Sequence, residues 1–150
     1  MSNSLEEKEE KIRMFMECLA EESAKGVPIV VEGRRDIEAL KAMGVNGQII
    51  SAKAYGKPLI EVVSTLEAYG FSEVILLLDF DRRGRELTRR LEEQLERAGI
   101  RPNLHFWNGL LELAHRDVKD IEGLASYMET LRCKIAKPPH QASSYRKRQG

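Results

Sequence analysis

A chain of 150 residues, 42% of them hydrophobic, is long enough for one domain with a real core, which at this size buries roughly two-thirds of its unfolded surface. Its 24 basic and 24 acidic residues cancel to a formal net charge of zero, which excludes an overall electrostatic bias toward nucleic acid or membrane. No apolar run approaches the ~20 residues that a membrane span needs.

The charge is unevenly spread. Residues 137–150 hold Lys137, Arg146, Lys147 and Arg148 and no acid, so this tail carries +4 and the rest of the chain −4. The charged N-terminus is unlike a signal peptide. Cys18 and Cys133 have no ligand-like spacing and read as reduced thiols, so the expected location is cytoplasmic.

Residues 4–25 read as a helix: Ser4 and Glu7 form a capping-box pattern, and Ile12, Met16 and Leu19 recur at helical spacing. "GVPIVVEG" is a β-branched run between Gly26 and Gly33, hence a strand ending at Glu32. "RRDIEALKAMG" keeps Ile37 and Leu40 in helical phase and stops at Gly44, and "GQIIS" is a second short strand. From Lys57 to Tyr69, Ile60, Val63 and Leu66 mark another helix, with Pro58 tolerable in its first turn. A third strand runs from Glu73 to Asp79, its apolar residues 74–78 fitting burial on both faces. Leu87, Leu91, Leu95 and Ala98 then line a charged helix ending at Gly99. "PNLHFW" (102–107) is expected to be a fourth strand, with His105 in its middle and Phe106 and Trp107 in the core. Ile121, Leu124, Met128 and Leu131 mark a last helix. "KPPHQASSYRKRQG" has no periodicity and is expected to be disordered. Strands alternating with helices predict an α/β fold with a parallel sheet covered on both faces.

In such sheets ligands gather at the carboxyl ends of the strands. Glu32 ends the first strand, Asp79 the third, and Asp81 follows in the loop. If those strands are neighbours, three carboxylates meet at one edge, where a cation is the natural compensation. Oxygen ligands without His or Cys favour Mg²⁺ or Mn²⁺ over zinc. Plainer roles exist for several residues. Asp81 can cap the helix that follows, Asp36 can cap the 37–43 helix, and Arg85, Arg89 and Arg90 can form a solvated helix face paired with Glu86 and Glu93.

"VVEGRRD" (30–36) followed by "LLLDFDRRG" (76–84) resembles the toprim domain. Topoisomerases, bacterial-type primases, some nucleases, recombination proteins and the small ribonucleases that mature 5S ribosomal RNA share that fold. The likeness is strongest to small stand-alone toprim proteins of archaea and bacteria. It implies a single toprim (Rossmann-like) domain at 26–110, with a four-stranded, mainly parallel sheet flanked by helices. Residues 1–25 would then be a helix packed on the domain, 111–136 a helical extension, and 137–150 the basic tail. Carried over by residue, the resemblance makes Glu32 the catalytic acid/base and a metal ligand, with Asp79 and Asp81 as Mg²⁺ ligands. Gly33 would allow the turn after the first strand and Gly84 the turn into the helix. Arg34 stands where many members have lysine, a planar fork replacing a compact ammonium. "KDIEGL" (119–124) resembles the Lys-Asp of a late primase motif.

One or two such ions would stabilise charge on a phosphodiester's oxygens while Glu32 moves a proton. Arg34, Arg82, Arg83 and Lys53 would neutralise flanking phosphates. The haloacid-dehalogenase pattern fails, because the Asp-x-Asp pair follows the third strand and Arg83 takes the place of its Thr. Tyr55, Tyr69, Tyr127 and Tyr145 lack the context of a topoisomerase nucleophile, and no primase-scale core or zinc ribbon is expected. The leading expectation is a Mg²⁺-dependent nuclease acting on RNA or DNA. The alternative is a non-catalytic accessory protein that docks nucleic acid through the metal site beside a partner enzyme. A body of charge −4 without long basic runs is consistent with such a partner.

Overall fold

The structure, a computed structural model, describes residues 4–53 and 58–136. The chain runs α1 (Ser4–Ala24), β1 (Ile29–Val31), α2 (Arg34–Ala42), β2 (Ile49–Ser51), α3 (Leu59–Ala68), β3 (Glu73–Leu77), α4 (Arg82–Arg97), β4 (Arg101–Asn103), α5 (His105–Ala114) and α6 (Ile121–Ala136). The expectation of a disordered tail falls on residues outside those described, as does Lys57 at the start of the expected 57–69 helix.

All four strands are parallel, in the order β2-β1-β3-β4, the expected four-stranded parallel sheet. β1 and β3 are neighbours, with Ile29 opposite Ile75 and Val31 opposite Leu77. Alternate side chains enter two separate cores, as the two-residue period of a strand requires. Ile29, Val31, Ile75 and Leu77 pack beneath α1, α2, α5 and α6, whereas Val30, Val74, Leu76 and Leu78 pack against α3 and α4. This double coverage explains why the strands read as unbroken apolar runs.

α1 buries Ile12, Met16 and Leu19 and α4 buries Leu91 and Leu95, as their spacing predicts, but on α3 the buried face is Leu59, Val62, Val63 and Leu66, and the expected Ile60 is exposed. Gly99 follows α4 at φ 79°, the left-handed position that ends a helix without a Cβ penalty.

The expected strand 102–107 is corrected. Only Arg101–Asn103 pairs with β3, and His105 opens a helix. Asn103 is the cause: its side-chain oxygen accepts the His105 N–H at 2.9 Å, turning the chain out of the sheet. Phe106, Trp107, Leu110 and Ala114 then form the buried face of α5. The aromatic run that resembled a strand is thus a helix edge, although Phe106 and Trp107 are core residues as expected. Trp107 also fixes α5 to the sheet, donating its indole N–H to the Leu78 carbonyl at 2.8 Å.

Candidate metal centre

The sheet reverses its winding between β1 and β3. The loop after β1 leads into α2 on one face, and the loop after β3 leads into α4 on the other. A crevice at such a switch point is the ordinary ligand position of an open parallel sheet. Glu32 and Asp79 stand on its two sides.

Glu32 is buried, 6% exposed. Its Oε1 accepts the backbone N–H of Asp79 at 3.1 Å, and its Oε2 lies 3.0 Å from Lys53 Nζ, just beyond β2. Ser51 Oγ donates to the Glu32 carbonyl, so β2 holds both ends of the residue. Asp79 is half-buried. Asp81 is exposed and caps α4, accepting the Gly84 N–H at 2.8 Å.

Asp36 is also buried, 6% exposed, in the first turn of α2. It accepts the Gly33 N–H at 3.1 Å and, across the fold, the Glu122 N–H at 3.0 Å. It therefore does cap its own helix, and it ties that helix to α6 as well. Asp120 precedes α6 and accepts the Gly123 N–H at 2.7 Å. The Phe80 N–H donates to the Lys119 carbonyl at 2.6 Å, which brings the segment before α6 against the Asp79–Asp81 loop.

Among the described residues, Asp36, Asp79 and Asp120 each offer a carboxylate oxygen, and these oxygens lie within 4.8 Å of one another. The charges of Glu32 and Asp81 also bear on Asp79. Burial first, and then the charges of Glu32, Asp36, Asp120 and Asp81, push Asp79 up to about 7. Asp36 is also raised, by burial, against the pull of its two backbone hydrogen bonds, with the charges of Asp120 and Glu122 adding to the rise. The helices opening at Gly33, Asp81 and Asp120 turn their positive ends toward this cluster and offset part of the repulsion. What remains is a shortage of positive charge among oxygen donors. A hard divalent cation fits that donor set.

The cations expected to bind phosphate divide. Lys53 and Arg83 border a groove with Glu32, and Arg82 borders a second groove with Asp81. Arg34 is exposed at the first position of α2.

Gly84 sits inside the first turn of α4. A Cβ there would overlap the Asp79 carbonyl oxygen and come within 2.7 Å of the Asp79 Cβ. Glycine is thus needed for close approach of helix and loop. Gly33 has an extended backbone (φ −140°), and an added Cβ would meet only Asp36 Oδ2 at 3.9 Å, so the geometry makes no such demand.

Asp36 and Asp120 were not among the metal ligands expected from sequence. Asp36 carried a capping signal and a place as the acid that ends the "VVEGRRD" motif, neither of which marks a ligand. Asp120 carried only the two-residue likeness of "KDIEGL", and its approach to Asp79 depends on the Phe80–Lys119 contact.

The Toprim domain family model matches residues 27–107. A UPF0292 protein of Methanosarcina acetivorans is 37% identical over 125 residues, covering 83% of this chain and 85% of that protein. A UPF0292 protein of Methanocaldococcus jannaschii is 40% identical over 106 residues, covering 70% and 80% respectively. A solved structure of a protein from Aquifex aeolicus superimposes with a TM-score of 0.62 at 29% identity, over 73% of this chain and 94% of that one. Among the described residues, no helix is long and apolar enough to cross a membrane.

Proposed function

The chain belongs to the Toprim domain family, and on that premise we propose that it is a Mg²⁺-dependent nuclease that cuts phosphodiesters in RNA or DNA. Membership implies metal-dependent chemistry on nucleic acid in general terms. The observation that supports the finer reading is the set of four carboxylates gathered around Asp79 at the β1–β3 crevice, with burial and then their charges pushing Asp79 up to about 7.

Asp36, Asp79 and Asp120 would hold the ion, with Glu32 and Asp81 within reach of a second. Bound there, Mg²⁺ supplies charge neutralisation at the phosphoryl oxygens. Glu32 exchanges the proton of the attacking or leaving oxygen at Oε2, because Oε1 is committed to the Asp79 N–H. Lys53, whose side chain is 55% exposed, is free to swing from Glu32 to a phosphate oxygen. The same swing would leave Oε2 open to a proton. Arg34, Arg82 and Arg83 are exposed and would meet neighbouring phosphates of a bound nucleic acid.

The test is incubation with end-labelled single-stranded, duplex and hairpin RNA and DNA, in Mg²⁺, Mn²⁺ or EDTA, beside Glu32→Gln and Asp79→Asn. Cleavage that needs metal and disappears in both variants supports the nuclease. Binding without cleavage, lost with EDTA, moves the reading to an accessory protein that works beside a partner enzyme. The absence of both on every nucleic acid overturns the phosphodiester reading.

A further inference from the structure

α4 carries arginines along most of its exposed side, and they fall on two flanks. At about 100° per residue, Arg82, Arg85 and Arg89 project to one flank, where they border a groove of about 720 Å³ with His115 and Lys119. Arg83 and Arg90 project to the other, bordering a groove of about 590 Å³ with Lys53 and Glu32. Glu86 lines both grooves and forms the crest between them. Asp81, two residues from Asp79, lines the first groove, and Glu32, whose carboxylate accepts the Asp79 N–H, lines the second.

The ion-paired helix face that the spacing of these arginines with Glu86 and Glu93 offers is largely not made. Among the described residues, Arg83, Arg85, Arg89, Arg90 and Lys119 form no ion pair, although Glu86 and Glu93 stand at helical spacing to several of them. Arg82 alone is paired, with Glu86 at 3.7 Å, while 93% exposed. Arg85 is turned inward to the Phe80 carbonyl, its Nε donating at 2.8 Å. Arg82 and Arg83 also occupy the first turn of α4, which holds no acid. Cations are disfavoured at that end by the helix dipole. Arg83 without an ion pair in the first turn, Arg82 with only an exposed one, and Arg85, Arg89 and Arg90 without one further along leave positive charge on both flanks that an anion can neutralise.

We propose that a single nucleic-acid strand lies across the N-terminal end of α4 with phosphates in both grooves, so that the centre acts on an internal phosphodiester and not at a chain end. The inference rests on the phosphodiester reading above and specifies its substrate. Each groove has the volume of a small-ligand cleft, which suits a single strand and not a duplex. A strand end would fill one groove only and leave the other flank's cations without a partner.

The deciding substrates are covalently closed single-stranded circles of RNA and of DNA, compared with linear strands of the same sequence in Mg²⁺ or Mn²⁺. Circles cut at a rate within several-fold of linear strands support the proposal. Linear strands cut while circles resist would overturn it and leave the nuclease reading intact. If the wild-type protein cuts neither, both readings fall together. Binding in EDTA supplies the second arm, through Arg89→Gln/Lys119→Gln on one flank and Arg83→Gln/Arg90→Gln on the other. All four residues are exposed, and thermal unfolding checks that both variants fold. Each pair should reduce the slope of log affinity against log salt by about 1.4, at ~0.7 per single-strand phosphate contact. A loss confined to one pair would show a one-sided track and overturn the proposal.

Discussion

The backbone N–H of Asp79 is held by the carboxylate of Glu32 at 3.1 Å, so the residue at the end of one strand positions the other by its main chain and repels it by its charge. Substitution can separate these roles. Glu32→Gln keeps an oxygen for the Asp79 N–H and removes the charge, so thermal unfolding should stay within about 1 kcal/mol of wild type. Cleavage should fall by roughly 10²–10⁴, the range of a lost general acid or base. Glu32→Ala leaves the N–H unpaired and should cost about 1–3 kcal/mol as well. Equal destabilisation in the two variants would refute the division.

Asp79 gives the metal-free protein a pH signature. Its folded pKa of about 7 lies above the ordinary 3.8, so between those values the folded state holds a proton that the unfolded state has lost. Stability from this group is complete below about pH 4, declines as pH rises, and is lost above about 7. The difference in melting temperature between wild type and Asp79→Asn in EDTA should therefore widen across that window, with the variant the more stable at pH 8. A flat difference would contradict the crowding of carboxylates around Asp79.

Metal and proton compete for the same oxygens. Mn²⁺ affinity measured by calorimetry should rise with pH toward 7 and level off above it. Asp120→Asn retains an acceptor for Gly123 and should lower affinity about tenfold or more without unfolding the protein. Asp36→Asn sacrifices one of two backbone hydrogen bonds to a buried carboxylate, so it should lower affinity and also cost about 1.5–3 kcal/mol. Asp81→Asn should be the mildest of the acidic substitutions. If Asp81→Asn is the most damaging, the ion sits at the exposed loop and not among Asp36, Asp79 and Asp120.

Two glycines flank the centre and should differ in their tolerance. Gly84→Ala forces a methyl group into the Asp79 backbone and should cost about 1–3 kcal/mol, with a matching loss of metal binding as the loop is displaced. Gly33→Ala meets only an ordinary contact, Asp36 Oδ2 at 3.9 Å, at an ordinary φ and should change stability by less than about 0.5 kcal/mol. Denaturant midpoints decide both.

Much of this arrangement is legible in the chain, for identifiable reasons. Val30–Val31 and Val74–Leu78 are apolar without alternation because each strand feeds two cores, and that pattern marks Glu32 and Asp79 as the polar ends of buried strands. Local spacing is silent about partners brought from afar. That Asp36 reaches the Glu122 N–H depends on how α2 meets α6, and that Asp120 reaches Asp79 depends on the Phe80–Lys119 contact. The misread segment at 102–107 failed for a local reason: Asn103 redirects the chain, and "HFW" has strand-forming composition but helical spacing with Leu110 and Ala114. The split of the α4 arginines follows from geometry that net charge averages away.

The dependence of Asp120 on α6 bears on when the protein becomes competent during its own synthesis. A ribosome that has released residues 1–100 has already supplied Glu32, Asp79 and Asp81, together with β1 and β3, the paired strands that lead into them. Asp120 and the Glu122 N–H that orients Asp36 emerge later. A nascent or prematurely terminated chain would carry the recognisable motif without the complete cluster, and the centre would assemble only after translation has passed Asp120 and Glu122.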